Sequence, residues 1–222
     1  MPEISCPSCG GAVPLRRAAL AYVVCPYCQS LVLRGDGDLR ALGKSAVLPF
    51  DISPIVIGTR GTIDRIAFEV VGRVRWGWRD GAWNEWLMAL ADGSTRWLGE
   101  AMGTFMALAD APHARHLPLI EAFAQGGTIT PGATVEIDGR HYVAADVKQA
   151  TCLGGEGELP FATPADWTIA SVDFREAGGA CLSVQRDARE TSVWAGCYVD
   201  LAELAPSGLR RFDDWTMPED LQ

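Results

Sequence analysis

The sequence predicts a mainly β protein with little helix, in which a small N-terminal module precedes a duplicated unit of small β-barrel or curled-sheet type. Three observations support this fold class. Two Cys-x-x-Cys pairs lie near the N-terminus, short strand-like segments alternate with turn residues after them, and one strand pattern recurs further along the chain. The expected organisation is the module at 1–36, a linker at 37–54, a first β unit at 55–108, a connector with a short helix at 109–127, a second β unit at 128–205 and an acidic, aromatic tail at 206–222.

Four cysteines in two pairs predict a structural zinc site. Cys6 and Cys9 form the first pair, and Cys25 and Cys28 form the second pair after fifteen intervening residues. Each pair can make a tight turn that directs two sulfurs toward one point, and structural zinc sites commonly have four thiolate ligands. A proline follows the first cysteine of each pair, where its fixed φ suits the turn. A redox pair or two unrelated disulfides is the alternative.

Strand-like segments flank the second pair, at residues 21–24 and 31–33. With them, residues 4–34 resemble a rubredoxin-type zinc ribbon. Four thiolates leave no open coordination position, so the expected cofactor is a structural Zn²⁺ that performs no chemistry. Because such a small module buries little apolar area, the metal is expected to supply most of its stability.

Composition and charge indicate the cellular compartment and the kind of partner. The chain of 222 residues has a net charge of −9 and 48% hydrophobic side chains. We expect a cytoplasmic protein, because the N-terminus has no basic and apolar leader, no apolar run approaches the roughly 20 residues of a membrane span, and zinc-thiolate sites suit a reducing compartment. The negative charge argues against nucleic acid as a partner, and the adjacent Arg16 and Arg17 are too few basic residues to reverse this.

Short strands joined by turns are predicted for the first β unit. A hairpin is expected to turn at Asp64–Arg65, with a bulge at Gly72 in its second strand. Asp92–Gly93 is a strong hairpin turn signal between strands at 85–90 and 95–98. This density of short strands is typical of a small barrel or a curled sheet.

The first hairpin pattern returns at a constant offset of 74 residues. Gly132, Ile137, Asp138 and Tyr142 stand 74 positions after Gly58, Ile63, Asp64 and Phe68. Turns are expected at Asp138–Gly139 and Gly178–Gly179, and a longer glycine-rich loop at 154–164. In the connector, residues 119–125 predict a two-turn helix that ends at Gly126. Two such related units are expected to pack face to face.

Several short motifs carry a resemblance to a known family. They are Gly58–Asp64, Phe68–Val74, Asn84–Leu87 and Gly157–Phe161. Through these motifs, residues 55–200 resemble the bacterial family called domain of unknown function 4178, whose members often carry an N-terminal zinc ribbon. The resemblance implies no activity and no catalytic residues. The genes associated with the family encode membrane-stress proteins of the phage-shock type and polyamine-synthase-like enzymes, and through them the resemblance implies a role in envelope stress.

A cluster of tryptophans and arginines is the candidate binding surface. Five tryptophans fall within 22 residues, and arginines interleave with them. The predicted surface comprises Trp76, Trp78, Arg75, Arg79, Trp83 and Trp86. It would suit stacking with a base, a cation or a peptide. The alternative is that the rings fill the core of a small barrel while the arginines cover its rim.

Other polar and reactive residues have weaker functional signals. Cys152, Cys181 and Cys197 could form a thiol enzyme with His141, but nothing in the sequence places His141 beside a thiol, and free cysteines are commonly small core residues. Two histidines and two acidic pairs are expected to be solvated; they are His113, His116, Glu156/Glu158 and Asp213/Asp214.

The function predicted from these features is a non-enzymatic interaction or adaptor protein. The ribbon would dock one protein partner, and the β units would present an edge or the Trp/Arg surface to another. The implied envelope-stress system would bring an indirect membrane association. The alternative function is a module that binds a small cationic, polyamine-like ligand or a nucleic acid through the Trp/Arg surface, and the acidic balance favours the cation. The tail at 206–222 is either a docking motif for a partner or a strand or coil packed on the second unit.

Overall fold

A computed structural model describes residues 2–35, 38–48, 51–164, 166–213, 216, 218 and 221. Fifteen strands and one short α-helix lie within these residues, so the mainly β fold class with little helix is confirmed. In this described part of the chain, every helix is too short or too polar to cross a lipid bilayer.

Residues 2–44 form the N-terminal module. Its strands are β1 (Glu3–Ser5), β2 (Ala12–Pro14), β3 (Tyr22–Val24), β4 (Ser30–Arg34) and β5 (Leu39–Lys44). β1 pairs with β2, whereas β3, β4 and β5 form an antiparallel sheet. β5 lies inside the stretch predicted as a linker. All six of its residues are exposed, so this edge strand lacks the alternation of buried and exposed residues that would have marked it in the sequence.

Two five-stranded antiparallel meanders follow. The first meander consists of β6 (Arg60–Ile63), β7 (Ile66–Trp78), β8 (Gly81–Leu90), β9 (Thr95–Ala101) and β10 (Thr104–Asp110). The second meander consists of β11 (Thr134–Ile137), β12 (Arg140–Leu159), β13 (Thr168–Arg175), β14 (Ala180–Arg186) and β15 (Thr191–Val199). Between them lie a 3₁₀ helix (Pro112–His116) and α1 (Pro118–Ala124), which matches the predicted helix within one residue.

The first hairpins of the two meanders correspond closely. Their turns, Asp64–Arg65 and Asp138–Gly139, have positive φ at both residues, as two-residue hairpin turns of type I′ require. β7 has a bulge at Val71 and β12 has one at Ala145, again 74 positions apart. The predicted hairpin turns are confirmed, and the first bulge lies one residue before the predicted Gly72.

The meanders join edge to edge into one closed ring of eight strands. β7 pairs with β12, and β10 pairs with β15. Hydrogen-bonded neighbours lead from β7 through β8, β9, β10, β15, β14, β13 and β12 back to β7. The predicted units at 55–108 and 128–205 therefore build a single closed sheet instead of packing face to face. The end of β12 also pairs with β3, which joins the N-terminal module to the ring.

Apolar clusters lie on the outer faces of the two meanders, and polar side chains also meet in the interior of the ring. Ile120 and Phe123 of α1 pack on the outer face of the second meander, and Ile55 packs on that of the first. Gln185 of β14 donates a hydrogen bond of 2.5 Å to Glu85 of β8. These strands are separated by four pairing steps in either direction around the ring, so the two side chains meet in its interior.

Glycine allows close backbone contact at both seams between the meanders. A Cβ atom on Gly196 would lie 1.8 Å from the carbonyl oxygen of Ala107 at the β10–β15 seam. At the β7–β12 seam, a Cβ on Gly157 would lie 2.2 Å from the carbonyl oxygen of Val71. Residues 154–159, predicted as part of a loop, therefore belong to β12, and their glycines serve close strand approach.

The first part of the predicted tail packs on the first meander. Leu209 joins the apolar cluster on its outer face. The Arg210 backbone N–H donates to the Pro54 carbonyl at 2.7 Å, and its guanidinium lies 3.6 Å from Asp51. The first meander, and not the second, is thus the surface that this segment covers. Asp214 and Trp215 of the tail lie outside the described residues.

Candidate metal centre and ligand cavity

The four paired cysteines meet at one end of the N-terminal module. Their Sγ atoms all lie within 4.8 Å of one another, with 3.7 Å between Cys6 and Cys28 and 3.8 Å between Cys9 and Cys25. A tetrahedral tetrathiolate site with metal–sulfur bonds of about 2.3 Å places its sulfurs about 3.8 Å apart. The four side chains therefore fit a metal site of this kind.

Equivalent turns bring the two cysteine pairs together. The N–H of Gly10 donates to the Cys6 carbonyl at 2.8 Å, and the N–H of Gln29 donates to the Cys25 carbonyl at 3.0 Å. Gly10 and Gln29 both have positive φ, so each turn ends in the left-handed region. Hydrogen bonding with Ser30 lowers the pKa of Cys28 to about 6, whereas burial raises the pKa of Cys25, so the thiols of the set do not ionise alike.

The buried carboxylate of Glu158 fixes the module to the ring. It accepts the backbone N–H groups of Arg16 at 2.5 Å and Arg17 at 2.9 Å, and the guanidinium of Arg34 at 3.2 Å. Glu158 is 1% exposed, so the expectation that it is solvated is wrong. Because β12 continues into the module, this side chain lies between the two parts, where three donors compensate its burial.

The loop between β2 and β3 covers part of the ring interior. Leu20 of this loop packs against Val71, Leu87 and Ala89. Leu87 lies two residues after Glu85 on β8 and therefore shares its inner face. The loop follows the first cysteine pair and precedes the second, so the cysteine centre holds both of its ends.

A cavity of about 780 Å³, here called the end cavity, opens beside this loop. Five aromatic side chains line it, namely Tyr22, Trp97, Phe161, Trp167 and Trp194. Its charged lining residues are Glu85, Asp166, Asp187, Arg189 and Glu190. Small-molecule sites typically measure about 300–1,000 Å³ and combine apolar or aromatic walls with a few polar groups. The end cavity has both the size and the lining of such a site.

Six aromatic rings form a continuous series from the ring interior to the cavity wall. In order they are Trp78, Trp83, Trp76, Trp167, Phe161 and Trp97, with centroid separations of 5.6, 6.3, 4.9, 5.3 and 5.7 Å. Trp167 meets both Trp76 and Phe161 edge to face, which is a favourable arrangement for aromatic pairs. This packing fixes the walls of the end cavity.

Glu85 lies at the inner end of the cavity. Its carboxylate accepts hydrogen bonds from the indole N–H groups of Trp76 at 2.9 Å and Trp83 at 3.0 Å, and from the amide of Gln185 at 2.5 Å. Burial raises the pKa of Glu85, and these three hydrogen bonds oppose that rise. In the part of the chain that the structure describes, no cationic side chain contributes to the pKa of Glu85.

The tryptophans of the predicted Trp/Arg surface do not share one exposed face. Trp76 and Trp86 are buried, with exposures of 1% and 0%, and belong to different apolar clusters. Trp83 and Trp86 are three residues apart on β8, so they point to opposite faces of the sheet. Trp78 and Trp83 are partly exposed and contact each other. The alternative, in which the rings fill the interior of a barrel, holds for Trp76, whereas Trp86 is buried in the apolar cluster on the outer face of the first meander.

The arginines of the predicted surface have acidic neighbours. Arg75 contacts Asp51 at 3.2 Å on the outer face, and Arg79 contacts Asp80 at 2.9 Å on the exposed turn after β7. Neither arginine lies among the residues that line the end cavity.

The other cysteines and His141 are not assembled into one site. Cys152 and Cys181 are buried, and burial raises the pKa of these thiols to about 11 and about 12, which favours the unreactive protonated form. Cys197 is exposed. His141 lies on the β11–β12 hairpin, where it contacts Glu136 at 3.7 Å.

Sequence reasoning missed Glu85 as a site residue. One signal was present: Glu85 stands two positions after Trp83 and precedes a run of apolar residues in one strand. An acidic side chain that shares a strand face with tryptophan is a candidate for an interior carboxylate.

The fold and the site define a closed antiparallel β protein with a tetracysteine module and a ligand-sized cavity. Residues 56–201, which span both meanders, match the family described as Domain of unknown function (DUF4178). The chain belongs to this family, which confirms the resemblance drawn from the short motifs. No curated protein and no solved structure matches the chain.

Proposed function

We propose that the protein is a non-enzymatic module that binds a small organic ligand in the end cavity. The cavity itself carries this proposal, since it has the volume of a small-molecule site, five aromatic walls and a carboxylate at its inner end. The proposal follows the small-ligand alternative of the sequence analysis but moves the site from the Trp/Arg surface into the mouth of the ring.

The same proposal includes a structural Zn²⁺ held by the four cysteines. The sulfur separations support a tetrathiolate site, which leaves no coordination position for a substrate. The ion would keep the β2–β3 loop in place, and with it the wall that Tyr22 provides to the end cavity. Metal content of the purified protein, measured by elemental analysis, tests this part directly.

A cavity-blocking variant tests the proposed function. Ala188 lines the end cavity, whereas Ala122 is exposed on α1 outside it. In a thermal-shift screen of small organic molecules, ligands should raise the Tm of the wild type and of Ala122→Trp but not of Ala188→Trp. Ligands that stabilise Ala188→Trp as well as the wild type, or a screen with no ligand at all, would contradict the proposal.

A second candidate function, a protein adaptor, is favoured by the free edge of β5. Among the described strands β5 pairs only with β4, its residues are all exposed, and Leu42 is 51% exposed. Such an edge can accept a strand from a partner. Crosslinking in native cells with mass spectrometry tests this: Leu42→Lys should abolish a specific crosslinked partner, and Val47→Lys, at an exposed position outside the strand, should keep it. An envelope-stress role and a cytoplasmic location stay predictions.

A further inference from the structure

Glu85 in the end cavity accepts hydrogen bonds, and none of the cationic side chains that the structure describes forms an ion pair with it. One oxygen of Glu85 accepts from Trp83 and Gln185, and the other accepts from Trp76. A carboxylate offers about four acceptor positions, so the second oxygen keeps one for a further donor. The three donors are neutral, so they orient the carboxylate without cancelling its charge.

The lining of the cavity is acidic overall. Four carboxylates, Glu85, Asp166, Asp187 and Glu190, face one guanidinium, Arg189. Although burial opposes it, backbone N–H groups and the Trp167 indole N–H lower the pKa of Asp187, which favours its ionised form. An anionic ligand would be repelled here, and a neutral ligand would leave the charge of Glu85 without a counter-ion.

The walls of the end cavity include the flat faces of aromatic rings. Trp97 and Phe161 stack at 5.7 Å with an interplanar angle of 18°, and Trp167 meets Phe161 edge to face. Aromatic faces attract organic cations through the ring quadrupole, and they also bury apolar groups. A ligand with a cationic head and an apolar body would satisfy both the walls and the carboxylate.

We propose that the ligand of the end cavity is an organic cation, with an ammonium or guanidinium group anchored by Glu85 and an apolar portion held between the aromatic walls. This inference rests on the proposed function, namely that the cavity binds a small molecule. Trp76, Trp83 and Gln185 act as positioning residues that hold the carboxylate toward the cavity.

Three probes with the same phenyl ring and different charges test the inference. They are phenethylammonium, phenethyl alcohol and phenylacetate, titrated separately into the full chain at slightly alkaline pH. Binding is followed by the indole N–H resonances in ¹H–¹⁵N NMR spectra, because those of Trp76 and Trp83 contact Glu85 directly. The Trp86 indole N–H donates to Glu100 on the outer face and serves as an internal control.

The wild type should bind the ammonium probe about tenfold or more tightly than the alcohol, as a charge-assisted hydrogen bond of roughly 1.4 kcal/mol would produce, and the carboxylate probe most weakly. Glu85→Gln should remove the preference for the ammonium over the alcohol. Glu190→Gln removes the same charge from the cavity lining and should keep most of that preference, because the anchor is intact.

The outcomes separate the two proposals. Equal binding of ammonium and alcohol, with shifts at Trp76 and Trp83, would overturn the cationic class while the cavity remains a ligand site. An unchanged preference in Glu85→Gln would overturn Glu85 as the anchor. No binding of any probe at these indoles would count against both proposals. The comparison of probes in the wild type decides the ligand class even if Glu85→Gln does not fold.

Discussion

The carboxylates of Glu158, Glu85 and Asp173 have different hydrogen-bond partners. Glu158 has a guanidinium and two backbone N–H groups, Glu85 has three neutral donors, and Asp173 accepts one hydrogen bond of 2.6 Å from Ser183. Burial raises the pKa of Asp173 to about 6, and the nearby carboxylate of Glu85 adds to the rise. Glu158 thus joins two parts of the chain, whereas the charges of Glu85 and Asp173 are destabilising for the folded chain.

The raised pKa of Asp173 predicts a pH-dependent effect of Asp173→Asn. The folded state holds the proton more tightly than the unfolded state, so the wild type loses stability as pH rises from about 4 to about 7. Relative to the asparagine variant, this loss should be on the order of 2 kcal/mol, since one pKa unit corresponds to about 1.4 kcal/mol. Denaturant unfolding of both proteins across this range measures it.

Burial sets most of the expected size of this effect, and the charges that face Asp173 modify it. Asp146 and Glu85 raise the pKa of Asp173, and Arg175 lowers it. A difference in stability between variant and wild type that does not change with pH would show that Asp173 keeps the same pKa in the folded and unfolded states. That result would contradict the prediction.

The partners of individual acidic residues could not be derived from the sequence. Glu158 bonds to backbone groups more than 140 positions away, and Glu85 meets Gln185 at a distance of 100 positions. Local sequence patterns indicate which neighbours share a strand face. They do not indicate which distant residue donates a hydrogen bond to a buried carboxylate. The sequence therefore predicted the cysteine centre, whose ligands form short local motifs, and missed the carboxylate of the end cavity.

At the scale of elements, the β2–β3 loop links the cysteine centre to the end cavity. The cysteine pairs hold its two ends, Glu158 binds its backbone, and Leu20 and Tyr22 at its end cover the ring interior and line the cavity. The conformation of this loop therefore depends on the centre, because so short a module has little apolar core of its own.

Loss of one metal-binding cysteine should increase the exchange of amide protons in this loop. In Cys25→Ser, bound metal should fall and the amides of Arg16 and Arg17 should exchange with deuterium at least about tenfold faster, while amides of β14 keep their protection. Cys197→Ser changes a cysteine outside the centre and should exchange like the wild type. Unchanged protection of Arg16 and Arg17 in Cys25→Ser, with metal lost, would show that the loop does not depend on the centre.

Elements with local signals were predicted well. The turns at Asp64–Arg65, Asp92–Gly93 and Asp138–Gly139, and the helix in the connector, depend on neighbouring residues and were found where expected. β5 and the final part of β12 were not predicted as strands. β5 is an exposed edge, and the glycines in β12 carry a loop-like signal although they serve strand contact.

At the scale of the whole molecule, two glycine-lined seams close the ring. Closure pairs strands that are far apart in the sequence, and no local pattern specifies it. The sequence predicted two related units but not their shared edges, because the residues that allow the edges to meet are glycines, which carry no side-chain signal.

Gly196→Ala should weaken the β10–β15 seam. The new Cβ would lie 1.8 Å from the Ala107 carbonyl oxygen, so the strands must separate, and the free energy of unfolding should fall by about 2 kcal/mol or more. Gly99→Ala is the matched control in the same ring, because its Cβ would meet Met106 Cε at 3.5 Å, an ordinary contact, and should change stability by less than about 1 kcal/mol. Equal effects of the two substitutions on unfolding by denaturant would contradict this account of the seam.

The position of Glu158 has a consequence for how the chain can diverge among relatives. Its donors come from the tetracysteine module, while the residues after it, from Pro160 onward, form a wall of the end cavity. In a relative without the module, an acidic residue at this position would be buried without hydrogen-bond donors. We therefore expect the four cysteines and an acidic residue at this position to be inherited or lost together, a covariation that an alignment of the family would reveal.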